Sequence, residues 1–232
     1  MKKAPRCCNN GSAGDNCDNT TAIDYNLSDF VDQFHTESLS TACPLCGVVH
    51  TGRIHCYVNR MYRDRERREN ITIVIPVIIC LIARARGMQY TKRLLPDFLT
   101  PHSVIRLDHL LEAADLPESE RTEDVVCDLL GCLDPRTARH QISRLTDAIR
   151  TVSLDLTRRR TAMLELGDLP ESTPETPPKV RLLMLFEAEL RAGERAGGMY
   201  SLPSLRQLLQ AAMGKDPGTK PLNYASPLAQ PP

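Results

Sequence analysis

At 232 residues the chain is long enough for one large domain or two small ones, and its 29 basic and 29 acidic residues cancel, so net charge selects no partner. Nine cysteines, an odd number, include a C-x2-C spacing, and the N-terminus shows no apolar signal core. This argues against a disulfide framework and for metal ligation and free thiols.

In chain order, residues 1–38 read as a disordered leader. Lys2 and Lys3 lead into polar Cys7-Cys8-Asn9-Asn10, and Cys7, Cys8 and Cys17 lie as incidental thiols in a Gly/Asn/Asp/Ser-rich stretch. Residues 39–101 read as a small zinc-ribbon-like β module. Cys43-Pro44-Leu45-Cys46-Gly47 is a knuckle that presents two thiolates, with the glycine letting the chain turn back. A ribbon needs a second pair of ligands. Cys80 ends an apolar run, but three residues later stands Ala83 in place of cysteine. The fourth ligand is therefore expected from His50, His55 or Cys56, or the site has decayed; thiolate and imidazole both suit zinc, so residue type does not choose. Without a metal, Cys46 and Cys80 read as ordinary buried cysteines.

Between Thr51 and Arg93 ten basic residues face only three acids, with Arg60, Arg63, Arg65, Arg67 and Arg68 forming a block. From Leu94 to Leu130 the sign reverses. The run Ile71–Ala83 (ITIVIPVIICLIA) is too short to span a bilayer as a helix, and its β-branched content predicts a buried strand. Pro76 within it implies an edge position or a bulge.

Residues 102–167 read as a mostly α-helical module resembling a helix-turn-helix. Ser103 is the expected cap of a helix to about Asp115, and Thr122 caps the next, which breaks at Gly131. Asp134-Pro135 starts the following helix, which would expose Arg136, Arg139, His140, Ser143 and Arg144, residue types that bind phosphates and base edges. Its apolar stripe runs through Ala138, Ile142, Leu145, Ile149, Val152, Leu156, Met163 and Leu166. That makes a long helix over 135–166 a candidate for pairing with a second copy as a homodimer. Residues 168–179 form a Pro/Glu/Thr linker, 180–214 a short helical segment, and 215–232, with five prolines, a disordered tail.

Catalytic signatures are missing: there is no G-x-x-x-x-G-K, G-x-G-x-x-G, H-E-x-x-H or G-x-S-x-G. His55 and Cys56 are adjacent, and on an extended chain they point to opposite faces, so they make a poor nucleophile–base pair. No enzyme and no small-molecule substrate are expected.

CPLCG, IHCYVNR, an apolar strand ending in cysteine, and then YTKRLLPDFLTPHSVIR resemble an uncharacterised bacterial family over about Thr41–Ile149. Its members pair an N-terminal zinc ribbon with a helix-turn-helix and resemble the DNA-binding front ends of insertion-sequence transposases. The resemblance implies ligand positions at Cys43, Cys46 and Cys80 and matches His55 and Tyr57 to the family's middle segment. Ala83 replaces a family cysteine, and Lys92 stands where many members have histidine.

The expectation is thus an α+β protein: a zinc-ribbon-like β module, a helix-turn-helix-like module and disordered termini. It would be bacterial and cytoplasmic, with structural Zn2+ and no membrane association. It would bind double-stranded DNA through Arg136, Arg139, His140, Ser143, Arg144 and the Arg60–Arg68 block, in a mobile-element context. The rival expectation is a protein-interaction or dimerisation module with structural zinc and no nucleic-acid role.

Overall fold

The computed structural model describes residues 25–39, 42–162, 173, 175–195 and 203–214. Cys7, Cys8 and Cys17, the stripe positions Met163 and Leu166, residues 168–172 of the linker and the tail from 215 onward lie outside the described residues. The fold is mixed α+β, and the chain divides into two compact units. One is built on the described residues up to Tyr62 and on Glu69–Pro96; the other is built on Arg63–Arg68 and on the residues from Asp97 onward.

The first unit has a helix where a disordered leader is expected. Helix α1 (Leu27–Glu37) starts at Asn26, whose side chain accepts from the Ser28 N–H, and carries Asp29 in its first turn. Leu27, Phe30, Val31 and Phe34 recur at helical spacing, although none of its residues is fully buried. Its place is also fixed by specific contacts. The Tyr25 hydroxyl just ahead of it donates to the Val74 carbonyl at 3.0 Å, and the Ser38 hydroxyl just after it accepts from the Gly52 N–H.

Strands β1 (Arg53–Arg63), β2 (Asn70–Ile79) and β3 (Thr91–Arg93) form an antiparallel sheet in the order β1-β2-β3. The apolar run is therefore the central strand. Ile71, Ile73 and Ile75 are buried in alternation with exposed Thr72 and half-buried Val74. From Ile75 to Ile78 every residue is buried.

Pro76 lies in this central strand, and neither the edge position nor the bulge expected for it is what accommodates it. The register pairs Val77 with Arg93, Ile78 with Lys92 and Ile79 with Thr91, which places Pro76 opposite Leu94, one residue beyond the end of β3. The Leu94 N–H donates to the Pro76 carbonyl at 2.9 Å. The amide that proline lacks would face Leu94 in return, where the ladder has already ended, so the missing donor costs one terminal bond only. Past β2 the chain turns through the short helix α2 (Leu81–Ala85) before returning as β3.

The second unit is helical: α3 (Leu107–Asp115), α4 (Glu123–Leu130), α5 (Pro135–Ala162), α6 (Pro178–Arg195) and α7 (Leu205–Met213). Ser103 does not cap α3. It accepts from the Ile105 N–H inside a buried turn, and α3 begins four residues later after Arg106. Thr122 caps α4 through the Val125 N–H, and Asp134 caps α5 by accepting from the Arg136 and Thr137 N–H groups and the Thr137 hydroxyl, both as expected.

The apolar stripe of α5 is covered within this unit. Leu145, Ala148, Ile149, Val152 and Leu156 are buried, and α6 and α7 pack along the helix. Arg159 of α5 approaches the buried Glu189 of α6 at 3.9 Å, and Gln210 of α7 donates to the Leu99 carbonyl at 2.7 Å. The described residues of the stripe are thus core of this unit, with α6 and α7 packed along the same helix.

Candidate metal centre

The knuckle folds as its sequence dictates. The Cys43 N–H donates to the Val48 carbonyl at 2.9 Å, the Gly47 N–H donates to the Cys43 carbonyl at 2.8 Å, and Ala42 and Val49 form an isolated bridge. Gly47 has φ +74°, a left-handed conformation that suits glycine at the point where the chain reverses. The turn delivers Cys43, Cys46 and then His50 to one place.

Cys80 arrives from the other side, at the junction of β2 and α2. It is the N-cap of α2, and its Sγ accepts from the Ala83 N–H at 3.3 Å. The Cys80 N–H donates to the Tyr90 carbonyl at 2.7 Å, which fastens the junction to the strand that follows.

Cys43, Cys46, His50 and Cys80 bring one ligand atom each to within 4.8 Å of all the others, a group that could hold a metal ion. His50 Nε2 lies 3.3 Å from Cys46 Sγ and 3.5 Å from Cys80 Sγ. A tetrahedral ion with metal–sulfur bonds of about 2.3 Å and metal–nitrogen bonds of about 2.0–2.1 Å separates sulfur from nitrogen by about 3.5 Å. His50 Nδ1 lies 3.0 Å from the Thr51 carbonyl, an acceptor only, so Nδ1 carries a proton and Nε2 is the ring nitrogen turned to the sulfurs.

The sulfurs are not equivalent. Burial and the neighbouring Cys80 and Cys43 sulfurs push the Cys46 thiol up to about 11, opposed by a hydrogen bond from the Val48 backbone. For Cys80, burial raises the pKa, but the Ala83 N–H together with Cys46, His50 and Cys43 outweighs it and brings the thiol down to about 7. Of the cysteines in the group, Cys80 is the one whose thiolate a backbone donor favours. Lys92, opposite Ile78, is half-buried. Burial lowers its pKa, while the Cys43 sulfur acts in the opposite direction, placing a cationic side chain near the cysteines.

Two expected ligand candidates are not in the group. On β1, His55 is exposed and Cys56 is buried, on opposite faces as strand geometry requires. Ala83 contributes its backbone in place of a side chain: its methyl is buried with Cys43 and Cys80, against which Leu45, Cys46 and Ile82 pack. The choice among His50, His55 and Cys56 was open in the sequence. The signal that resolves it is the continuation of the knuckle turn, which closes through Val48 and Val49 and leaves His50 beside Cys46.

The residues expected to meet nucleic acid divide into two sets. On the first turns of α5, Arg136, Arg139, His140 and Ser143 are exposed, with Arg139 within 3.4 Å of Glu123. Arg144 is instead part of the packing. Its guanidinium donates to Gln141 Oε1 and to the Pro101 and Met213 carbonyls, the last at 2.8 Å.

The Arg60–Arg68 block is largely engaged by the protein itself. Arg63 donates to the Gly131 carbonyl at 3.1 Å, Arg65 pairs with Glu112 at 2.9 Å, and Arg68 lies 3.7 Å from Asp128. Arg60 is half-buried, and burial together with nearby Arg93 lowers its pKa. The Arg67 side chain is exposed, while its N–H donates to Asp64.

No helix among the described residues is long and apolar enough to cross a membrane. No protein-family model, curated protein or solved structure matches the chain.

Proposed function

We infer that the four-residue cluster binds one structural zinc ion and that the chain is a zinc-stabilised DNA-binding protein. The observation that carries the zinc assignment is the orientation of His50. Its Nδ1 faces the Thr51 carbonyl and its Nε2 lies 3.3 and 3.5 Å from two cysteine sulfurs. Three thiolates and one imidazole are a common closed donor set for structural zinc, and no open position is left for catalysis. Once bound, zinc joins the knuckle to the β2–α2 junction, two segments more than thirty residues apart in the chain, so its binding energy becomes folding energy of the first unit.

The DNA reading rests on the exposed start of α5, where Arg136, Arg139, His140 and Ser143 follow a short turn and a capped helix. Arginines there anchor phosphates, and the helix start reaches base edges. The mobile-element context comes from the resemblance of the Thr41–Ile149 segment alone.

A second reading, a protein-interaction module without a nucleic-acid role, is favoured by two observations. The arginines Arg63, Arg65 and Arg68 are engaged internally, and the segments around the metal cluster expose Val48, Val49, Leu81, Met88 and Tyr90.

One preparation tests all three statements. Metal analysis of the purified chain is expected to give about one zinc per chain, lost in Cys43→Ser and His50→Ala; a metal-free parent overturns the assignment. Binding to random duplex DNA at low salt, falling steeply as salt rises, supports the DNA reading. No binding at low salt, with zinc present, leaves the interaction module.

A further inference from the structure

Cys127 and Cys132 lie outside the metal cluster, both free and both half-buried. They flank the glycine that ends α4. Gly131 has φ +62° and ψ +24°, its N–H donates to the Asp128 carbonyl at 3.1 Å, and the Cys132 N–H donates to the Cys127 carbonyl at 3.0 Å. This pair of bonds defines a Schellman motif. Its side-chain contact falls between the residue three before the cap and the residue two after it, which here are Cys127 and Cys132. In most helices that contact is hydrophobic; here two thiols occupy it. The 3.0 Å bond between their backbones holds the two Cα atoms within about 7 Å, inside the reach of a disulfide.

We propose that Cys127 and Cys132 are a redox-active dithiol that closes to a disulfide across the α4–α5 turn, with a small-molecule disulfide as oxidant. The thiolate of one cysteine attacks a sulfur of the oxidant, forming a mixed disulfide and expelling one thiolate, which takes up a proton. The second cysteine, its proton released to solvent, then attacks the protein sulfur of the mixed disulfide. The Sγ–Sγ bond forms and the second small thiol leaves. Two protein thiols lose two electrons and two protons, and the oxidant departs as two thiols.

The surroundings fit a pair that waits in the reduced state. Burial, with the Cys127 sulfur beside it, pushes Cys132 up to about 11, and its thiol also lies 3.9 Å from the Asp134 carbonyl, an acceptor for a protonated sulfur. Closure would convert a hydrogen-bonded cap into a covalent one at the entry to α5. The site is independent of the zinc cluster and of any DNA role.

The test uses the full chain, zinc-loaded, equilibrated in mixtures of oxidised and reduced glutathione, then acid-quenched, alkylated and cut with trypsin. Both cysteines fall in one peptide, Thr122–Arg136, with no internal Lys or Arg. The expected product is that peptide lighter by two hydrogens and unalkylated, rising from a minor to the major form as the oxidised fraction increases. In Cys132→Ser, glutathione should remain attached at Cys127. Doubly alkylated peptide at every ratio, or wild-type protein that stops at glutathione adducts, overturns the proposal.

Discussion

The Ala83 amide donates to Cys80 Sγ at 3.3 Å, so the residue standing where a second knuckle would carry cysteine acts on the cluster through its backbone. The donor lowers the Cys80 pKa, and the methyl fills the space behind Cys43 and Cys80. On the zinc reading the fourth ligand is His50, which lies with the three cysteines. Placing a cysteine at position 83 with Ala83→Cys is therefore expected to leave zinc at about one per chain. It should also destabilise the first unit by about 1–3 kcal/mol, because a sulfur is forced into a fully buried position. His55→Ala and Cys56→Ala should keep the metal, whereas His50→Ala should lose it to a chelator that the parent resists. Metal analysis with chemical unfolding checks each; a gain of zinc affinity in Ala83→Cys together with retention in His50→Ala refutes the ligand assignment.

The contact that seats α1 can be tested without touching the metal. A Cβ on Gly52 would lie 2.2 Å from Phe34 Cζ, far inside contact distance, so Gly52→Ala must displace the ring. A loss of about 1–3 kcal/mol is expected from overpacking. Phe34→Ala removes the obstacle. The double variant should be less destabilised than the sum of the two single changes, as coupled neighbours require. Additive losses in urea unfolding would mean that α1 does not dock on Gly52.

His109 of α3 is buried at 9% exposure, and its Nδ1 has no hydrogen-bond partner. Burial lowers its pKa below the ordinary 6.5; Asp108 and Glu112 oppose the shift, while Arg106 and Arg65 add to it. With the folded pKa depressed, the unfolded chain binds more protons just below pH 6.5. The neutral imidazole thus contributes stability that is present above that pH and lost as pH falls toward the folded pKa. The urea midpoint of the second unit should decline between pH 7.5 and 5.5, and His109→Leu should flatten the decline. An equal slope in the variant would assign the effect to other groups.

What the sequence disclosed follows how local each signal is. The knuckle and the Thr122 and Asp134 caps depend on residues within a few positions of one another, and all three fold as read. The β-branched run gave a buried strand, but not its place in the sheet. Pro76 is tolerated in the centre only because β3 ends at Arg93, which a one-strand pattern does not show. The α5 stripe announces a buried face without naming what covers it, so the sequence alone does not show that α6 and α7 pack along it. Charge was the least legible. Arg144 and Arg63 have the composition of a phosphate-binding surface, yet their guanidiniums satisfy backbone carbonyls at chain turns far away in sequence. Helix α1 has Leu27, Phe30, Val31 and Phe34 at helical spacing, but this short period follows a Gly/Asn/Asp/Ser-rich stretch, and the contacts of Tyr25 and Ser38 that also attach it are not written in any period.

The two kinds of arginine on α5 give the DNA reading its sharpest test. Arg136 is exposed at the helix start, and Arg139 is exposed with long, 3.4 Å approaches to Glu123 and to the Pro135 carbonyl, so Arg136→Gln and Arg139→Gln should leave the fold intact. If each neutralises one phosphate, removing both weakens binding to any duplex and reduces the slope of log affinity against log salt by roughly two, at about 0.9 per contact. Arg144→Gln should behave differently. It strands the Pro101 and Met213 carbonyls and the Gln141 side chain, costing about 1–3 kcal/mol of stability. Any loss of DNA affinity in that variant should follow from unfolding and leave the salt slope of the folded fraction unchanged. Anisotropy titrations over a series of salt concentrations, with thermal melts of the same samples, separate the two outcomes. An unchanged slope in the Arg136/Arg139 double variant would remove the α5 surface from the DNA reading and favour the interaction module.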